Sequence, residues 1–188
     1  MPYHGYRVMY SIKWSGKKSA YIYQRFFRAI YGYTQVVVKG NGRRYVYYRE
    51  GVLTKYPFIK EGKNMVVVPD NALQPLLNFL KTGQNPAHRF SFSANWPELV
   101  KYSMEETSVD DHPASMAVLE ALGRIKVSLV GGPVSARDLL QRVDMLQPDE
   151  LYALYYAVTP ILQSNWVRAL ASTEPQLFER LRLLQSRV

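Results

Sequence analysis

The sequence predicts an α+β protein: a mostly antiparallel N-terminal β-sheet with two helices, followed by an all-α C-terminal region. Three observations predict it. Apolar residues in the first half alternate with period two. An Asn41-Gly42 pair separates two runs rich in β-branched and aromatic residues. Beyond residue 96 the chain reads as short amphipathic helices preceded by capping residues. The 188 residues suffice to bury a core without disulfides, and the chain has no cysteine.

The elements follow in order. Tyr6, Val8, Tyr10, Ile12 and Trp14 share one face of a strand, and Arg7, Met9, Ser11 and Lys13 the other. After Ser15-Gly16 a helix is expected over 19–31, with Phe26, Phe27 and Ile30 on its apolar side and Gly32 as its stop. Strands over 34–39 and 43–50 flank Gly40-Asn41-Gly42. A two-residue turn would set Lys39 opposite Arg44, and a three-residue loop would set it opposite Arg43. Both registers oppose two cations, which destabilises a bare sheet.

A turn at Glu61-Gly62-Lys63-Asn64 leads to a strand from Met65 to Val68. A helix over 72–81 follows, with Asn71 as N-cap and Gln74 completing a capping box. Residues 84–97 read as a linker, dividing a domain over 1–90 from a helical oligomerisation region over 91–188. In that region helices are expected over 97–104, 113–124 and 135–145. Another opens at Gln147 and is bent or broken at Pro160. The last opens at Thr173, with Leu177, Leu181, Leu184 and Val188 in heptad spacing.

Charge and tyrosine are distributed unevenly. Residues 1–90 carry 15 Lys and Arg against 3 Asp and Glu, whereas residues 91–188 carry 9 against 12. The formal net charge of +9 therefore understates the first half. Such asymmetry points to a localised site for an anionic partner. Eleven of the 15 tyrosines fall between Tyr3 and Tyr56.

Several chemistries are not encoded. His4, His88 and His112 are scattered, without metal-ligand spacing. No helix follows Gly40-Asn41-Gly42, so it is not a phosphate loop. Asp110-Asp111-His112 with Glu105-Glu106 reads as an acidic cap for the next helix rather than a metal nuclease site. No cofactor and no catalysis are expected. The N-terminus shows no signal-peptide pattern and the longest apolar run, Leu151 to Val158, is short of a membrane span. A soluble, cytoplasmic protein is expected.

What is encoded is an interleaving of cations with aromatics. Arg43-Arg44-Tyr45-Val46-Tyr47-Tyr48-Arg49 is the densest stretch, and Lys55-Tyr56-Pro57-Phe58-Ile59-Lys60 repeats the idea. Single-strand binders combine cations for phosphates with aromatic faces for bases. The candidate phosphate contacts are Lys13, Lys17, Lys18, Arg25, Lys39, Arg43, Arg44, Arg49, Lys55, Lys60 and Lys63. The candidate stacking residues are Tyr10, Trp14, Tyr45, Tyr47, Tyr56 and Phe58.

In its domain order and in these two stretches the chain resembles the ThermoDBP family of archaeal single-stranded DNA-binding proteins and its related proteins. The resemblance implies single-stranded DNA or RNA held in a hydrophobic cleft edged by basic residues, and homo-oligomers made through C-terminal helices. The heptad pattern here spans barely two repeats, too short for a stable zipper alone. The expected function is non-catalytic binding of single-stranded nucleic acid, most of all ssDNA. The alternatives are a ribosome-associated RNA-binding protein and a helix-turn-helix regulator using residues 135–157. The second is disfavoured by Asp138, Asp144, Asp149 and Glu150 in that segment.

Overall fold

The computed structural model describes residues 2–14, 19–84 and 96–188. Among them the strands are β1 (Tyr3–Ile12), β2 (Tyr33–Val38), β3 (Arg44–Arg49), β4 (Ile59–Gly62), β5 (Met65–Val68), β6 (Val100–Val109), β7 (Lys126–Leu129) and β8 (Gly132–Ser135). The helices are α1 (Ser19–Tyr31), α2 (Asp70–Thr82), α3 (Trp96–Leu99), α4 (Asp111–Arg124), α5 (Ala136–Gln141), α6 (Pro148–Leu162), α7 (Leu170–Thr173) and α8 (Pro175–Arg187). An α+β fold results, with an N-terminal antiparallel sheet and a mostly helical C-terminal region. One sheet has the order β4-β5-β1-β6, and β2-β3 and β7-β8 are separate two-stranded ribbons. β5 pairs antiparallel with both β1 and β4.

The chain forms two compact units that do not follow chain order. One comprises Met1–Met9, Lys55–Leu73 and Met104–Val188, and the other Tyr10–Thr54 and Gln74–Ser103. The expected linker lies largely at 85–95, outside the described residues.

The first unit is built around α4, whose Ala114, Ala117, Val118, Ala121 and Leu122 are buried. Small residues on α4 admit close neighbours, and α5, α6, α7 and α8 bury their leucines in the same core. Leu177, Leu181 and Leu184 belong to this core. The heptad seam of the last helix is therefore satisfied within its own chain and is not an open zipper face. At the other end of the unit, His4 anchors β1: its carbonyl accepts from the Trp166 indole at 2.9 Å and from Asn165 at 2.8 Å.

The second unit has an aromatic core. Phe26, Phe79 and Trp96 meet at centroid distances of 5.4–5.9 Å, in the range of favourable ring pairs. The buried Trp96 indole donates to the Leu80 carbonyl at 2.8 Å. Gly83, at φ +73°, ends the helix under that indole, where an added Cβ would meet the ring at 2.7 Å.

Four local expectations are corrected. Residues 100–104 are strand, not helix: β-branched and aromatic residues from Val100 to Val109 suit a sheet, and α3 stops at Leu99. Asn71 does not cap α2, which starts one residue earlier, and its amide donates to the Pro160 carbonyl instead. α6 is not broken at Pro160, which falls in its last turn. The helix expected over 135–145 ends at Gln141 and gives way to a 3-10 turn over Val143–Met145, although Ser135 caps it by accepting from the Asp138 amide at 3.1 Å.

Candidate nucleic-acid interface

The densest cation-aromatic stretch forms the β2-β3 ribbon of the second unit. The two strands pair along their whole length, from Val38 with Arg44 at the tip to Tyr33 with Arg49 at the base. The Lys39 amide donates to the Arg43 carbonyl at 3.0 Å and the Gly42 amide to the Lys39 carbonyl at 2.9 Å. Gly42 adopts φ +77°, and the Asn41 side chain accepts from the Arg43 amide at 3.0 Å. This is the three-residue loop, in which a glycine takes the left-handed position. It sets Lys39 opposite Arg43.

The register sorts the side chains into two faces. Tyr33, Gln35, Val37, Lys39, Arg43, Tyr45, Tyr47 and Arg49 share one; Thr34, Val36, Val38, Arg44, Val46 and Tyr48 share the other. On the first face each of three tyrosines carries a cation. Lys39 Nζ lies 4.8 Å from the Tyr45 ring centre, the Arg49 guanidinium 5.3 Å from Tyr47, and the Arg28 guanidinium 4.5 Å from Tyr33. Arg49 Nε also donates to Gln35 at 3.4 Å. Each ring gives its cation a favourable contact. Arg28 and Tyr33 lie outside the two stretches that the sequence marks, although the alternation Tyr33, Gln35, Val37, Lys39 carries the signal for Tyr33.

The ribbon is little supported by packing. Its second face is exposed throughout, with Val38 at 63 % and Val46 and Tyr48 at 50 %. A two-stranded ribbon is marginal alone, so its base matters. The chain enters after Gly32 and leaves before Gly51, and these backbones nearly touch. A Cβ on Gly51 would fall on the Gly32 nitrogen and within 2.6 Å of the Ile30 carbonyl oxygen. Val52 and Leu53 amides donate to the Ala29 and Ile30 carbonyls at 2.9 and 2.8 Å, fastening the exit to α1.

Charge on the ribbon is of one sign. Tyr33 to Arg49 holds Lys39, Arg43, Arg44 and Arg49 and no carboxylate. Among the described residues none of the four joins an ion pair.

The other expected residues are distributed as follows. Lys13 is exposed and Trp14 half-buried just past β1, and Arg25 is half-buried on α1, all in the second unit. Tyr10 is only 3 % exposed, and its hydroxyl bonds that of Tyr31; it is a core residue and not a stacking surface. Burial raises the pKa of both phenols. Lys17 and Lys18 lie outside the described residues. Lys55, Tyr56, Phe58, Lys60 and Lys63 belong to the first unit. There the Arg124 guanidinium covers Phe58 at 4.3 Å and donates to the Tyr56 carbonyl at 2.8 Å, and burial lowers its pKa to about 10. Burial also raises the Tyr56 pKa. These two aromatics pack, while Lys60 and Lys63 stay exposed.

The acidic residues near Asp110 pair with cations of the first unit. His4 contacts Asp70 at 2.6 Å and Glu106 at 3.3 Å, and Arg7 contacts Glu61 at 2.6 Å and Glu105 at 2.9 Å. Among the described residues no three His, Asp or Glu side chains group as a metal site, and no helix is long and apolar enough to cross a membrane. Compared with protein-family models, curated proteins and solved structures, the chain matches none.

Proposed function

We propose that this protein binds single-stranded nucleic acid, without catalysis, through the β2-β3 ribbon. One observation carries the reading: four cations without an ion pair among the described residues, and three cation-bearing tyrosines, sit on an exposed ribbon that holds no carboxylate. An exposed ribbon with a half-exposed apolar face is costly to keep unless something covers it. Phosphates neutralise the opposition of Lys39 and Arg43. Tyrosine rings and guanidinium planes offer flat surfaces for bases, each stacked base being worth about 1–3 kcal/mol. A cytoplasmic location is part of this proposal.

A second reading has its own observation. Both faces of the ribbon are open, and a two-stranded ribbon fits the major groove of a duplex. A competition panel separates the two: matched ssDNA, ssRNA and duplex, each measured at low and at physiological salt. Single strands should win at both, with ssDNA ahead of ssRNA. Preference for duplex would transfer the ribbon to groove binding, and salt-independent binding would remove the electrostatic account.

A further inference from the structure

We propose that β6 is a self-pairing edge, joining antiparallel to β6 of a second copy about a dyad at Ser103. β6 is the outermost strand of the order β4-β5-β1-β6, and its six residues from Lys101 to Glu106 are all exposed. An edge strand of this length presents a row of backbone donors and acceptors ready for another strand.

The strand's two faces differ. Glu105 reaches Arg7 of β1, so Glu105, Ser103 and Lys101 share the face of Arg7. Tyr102 and Met104 share the opposite face, where Val8 and Tyr10 of β1 are buried; on β6 Tyr102 is still 42 % and Met104 50 % exposed. Among the described residues the apolar side of the sheet is thus only about half covered at this edge.

The occupant follows from register. In an antiparallel pair, facing residues point to the same side, so a dyad normal to the sheet must pass through a residue facing itself. With the dyad at Ser103, Lys101 faces Glu105 twice, Tyr102 faces Met104 twice, and the residue at the centre is small. With the dyad at Met104, Tyr102 faces Glu106 and Ser103 faces Glu105. With it at Glu105, two carboxylates collide. With it at Tyr102, Lys101 faces Ser103 and its charge has no partner. Over Lys101 to Glu105 the Ser103 register alone pairs opposite charges on one face and apolar side chains on the other, with Val100 facing Glu106 beyond them. The strip is smaller than a standard interface, so the association is weak. Each dimer carries two ribbons, which multiplies a weak site by effective concentration.

The absence of cysteine makes the test clean. In the full-length chain, Ser103→Cys should cross-link to a disulfide dimer under mild oxidation, because facing residues stand about 4.5–5.5 Å apart. Lys101→Cys should not, since four residues of offset hold those Cα atoms roughly 13 Å apart. In sedimentation velocity, Lys101→Glu should weaken the wild-type dimer on the order of tenfold, by turning two attractive pairs repulsive. Mixing Lys101→Glu with Glu105→Lys should restore association, and a melting curve checks that Glu105→Lys is folded. A wild-type chain monomeric at high micromolar concentration would overturn the proposal. So would equal cross-linking by the Lys101→Cys and Ser103→Cys variants.

Discussion

Removing Lys39 and Arg43 together separates electrostatic binding from fold. Lys39, Arg43, Arg44 and Arg49 carry the ribbon's charge and have no ion-pair partner among the described residues. If each neutralises one phosphate of a single strand, the log–log salt slope is about −2.8, and affinity falls about fiftyfold between 50 and 200 mM salt. In Lys39→Ala/Arg43→Ala two contacts remain, the slope halves to about −1.4, and the same salt change costs only about sevenfold. The variant should fold as well as the wild type, because both side chains are exposed and their mutual repulsion is gone. Fluorescence anisotropy of a labelled oligothymidylate across a salt series reads the slope. An unchanged slope in a folded double variant would refute the assignment of phosphates to the ribbon tip.

Three further outcomes are expected. Gly51→Ala should destabilise the protein by about 1–3 kcal/mol in urea unfolding, since its Cβ meets backbone that cannot step aside; a loss under half a kilocalorie would contradict the clamp at the ribbon's base. Tyr45→Ala should weaken single strands more than duplex, by about 1 kcal/mol, because it removes a stacking surface and the rest for Lys39; equal losses would point to packing. The hydrogen bond to Asp70 raises His4 above its ordinary pKa of 6.5, aided by Glu106. Because the folded value is the higher one, the stabilisation is complete below the unfolded pKa and is lost as pH rises through the folded value. Urea unfolding of His4→Gln should therefore fall below wild type in mildly acidic buffer and match it in alkaline buffer. A difference that grows with pH would contradict the pairing.

Legibility in the sequence follows the range of the interactions. The ribbon is readable because its signals are local: alternation on both strands and Asn41-Gly42 between them. Its register is not, since two loop lengths fit the same residues, and only the Lys39–Arg43 backbone bond chooses. The start of β6 reads as helix because Pro97-Glu98 opens one locally, and its partner β1 lies far away, at the other end of the first hundred residues. Tyr10 and Tyr45 carry the same pattern in sequence, yet one is buried beside Tyr31 and the other lies on the ribbon under Lys39. Alternation tells which residues share a face and not which face meets the core. The last helix shows the same limit: Leu177, Leu181 and Leu184 have a seam's spacing, but their own core fills it.

In the proposed function the ribbon holds the nucleic acid. Because Gly32 and Gly51 meet at its base, residues 34–48 can be replaced by a short glycine turn with little strain on the second unit. Binding of a labelled single strand at low salt, measured beside a melting curve, is the most direct test. The expected result is a folded protein that has lost single-strand binding; a ribbonless protein that binds as tightly as the wild type would contradict the proposed function.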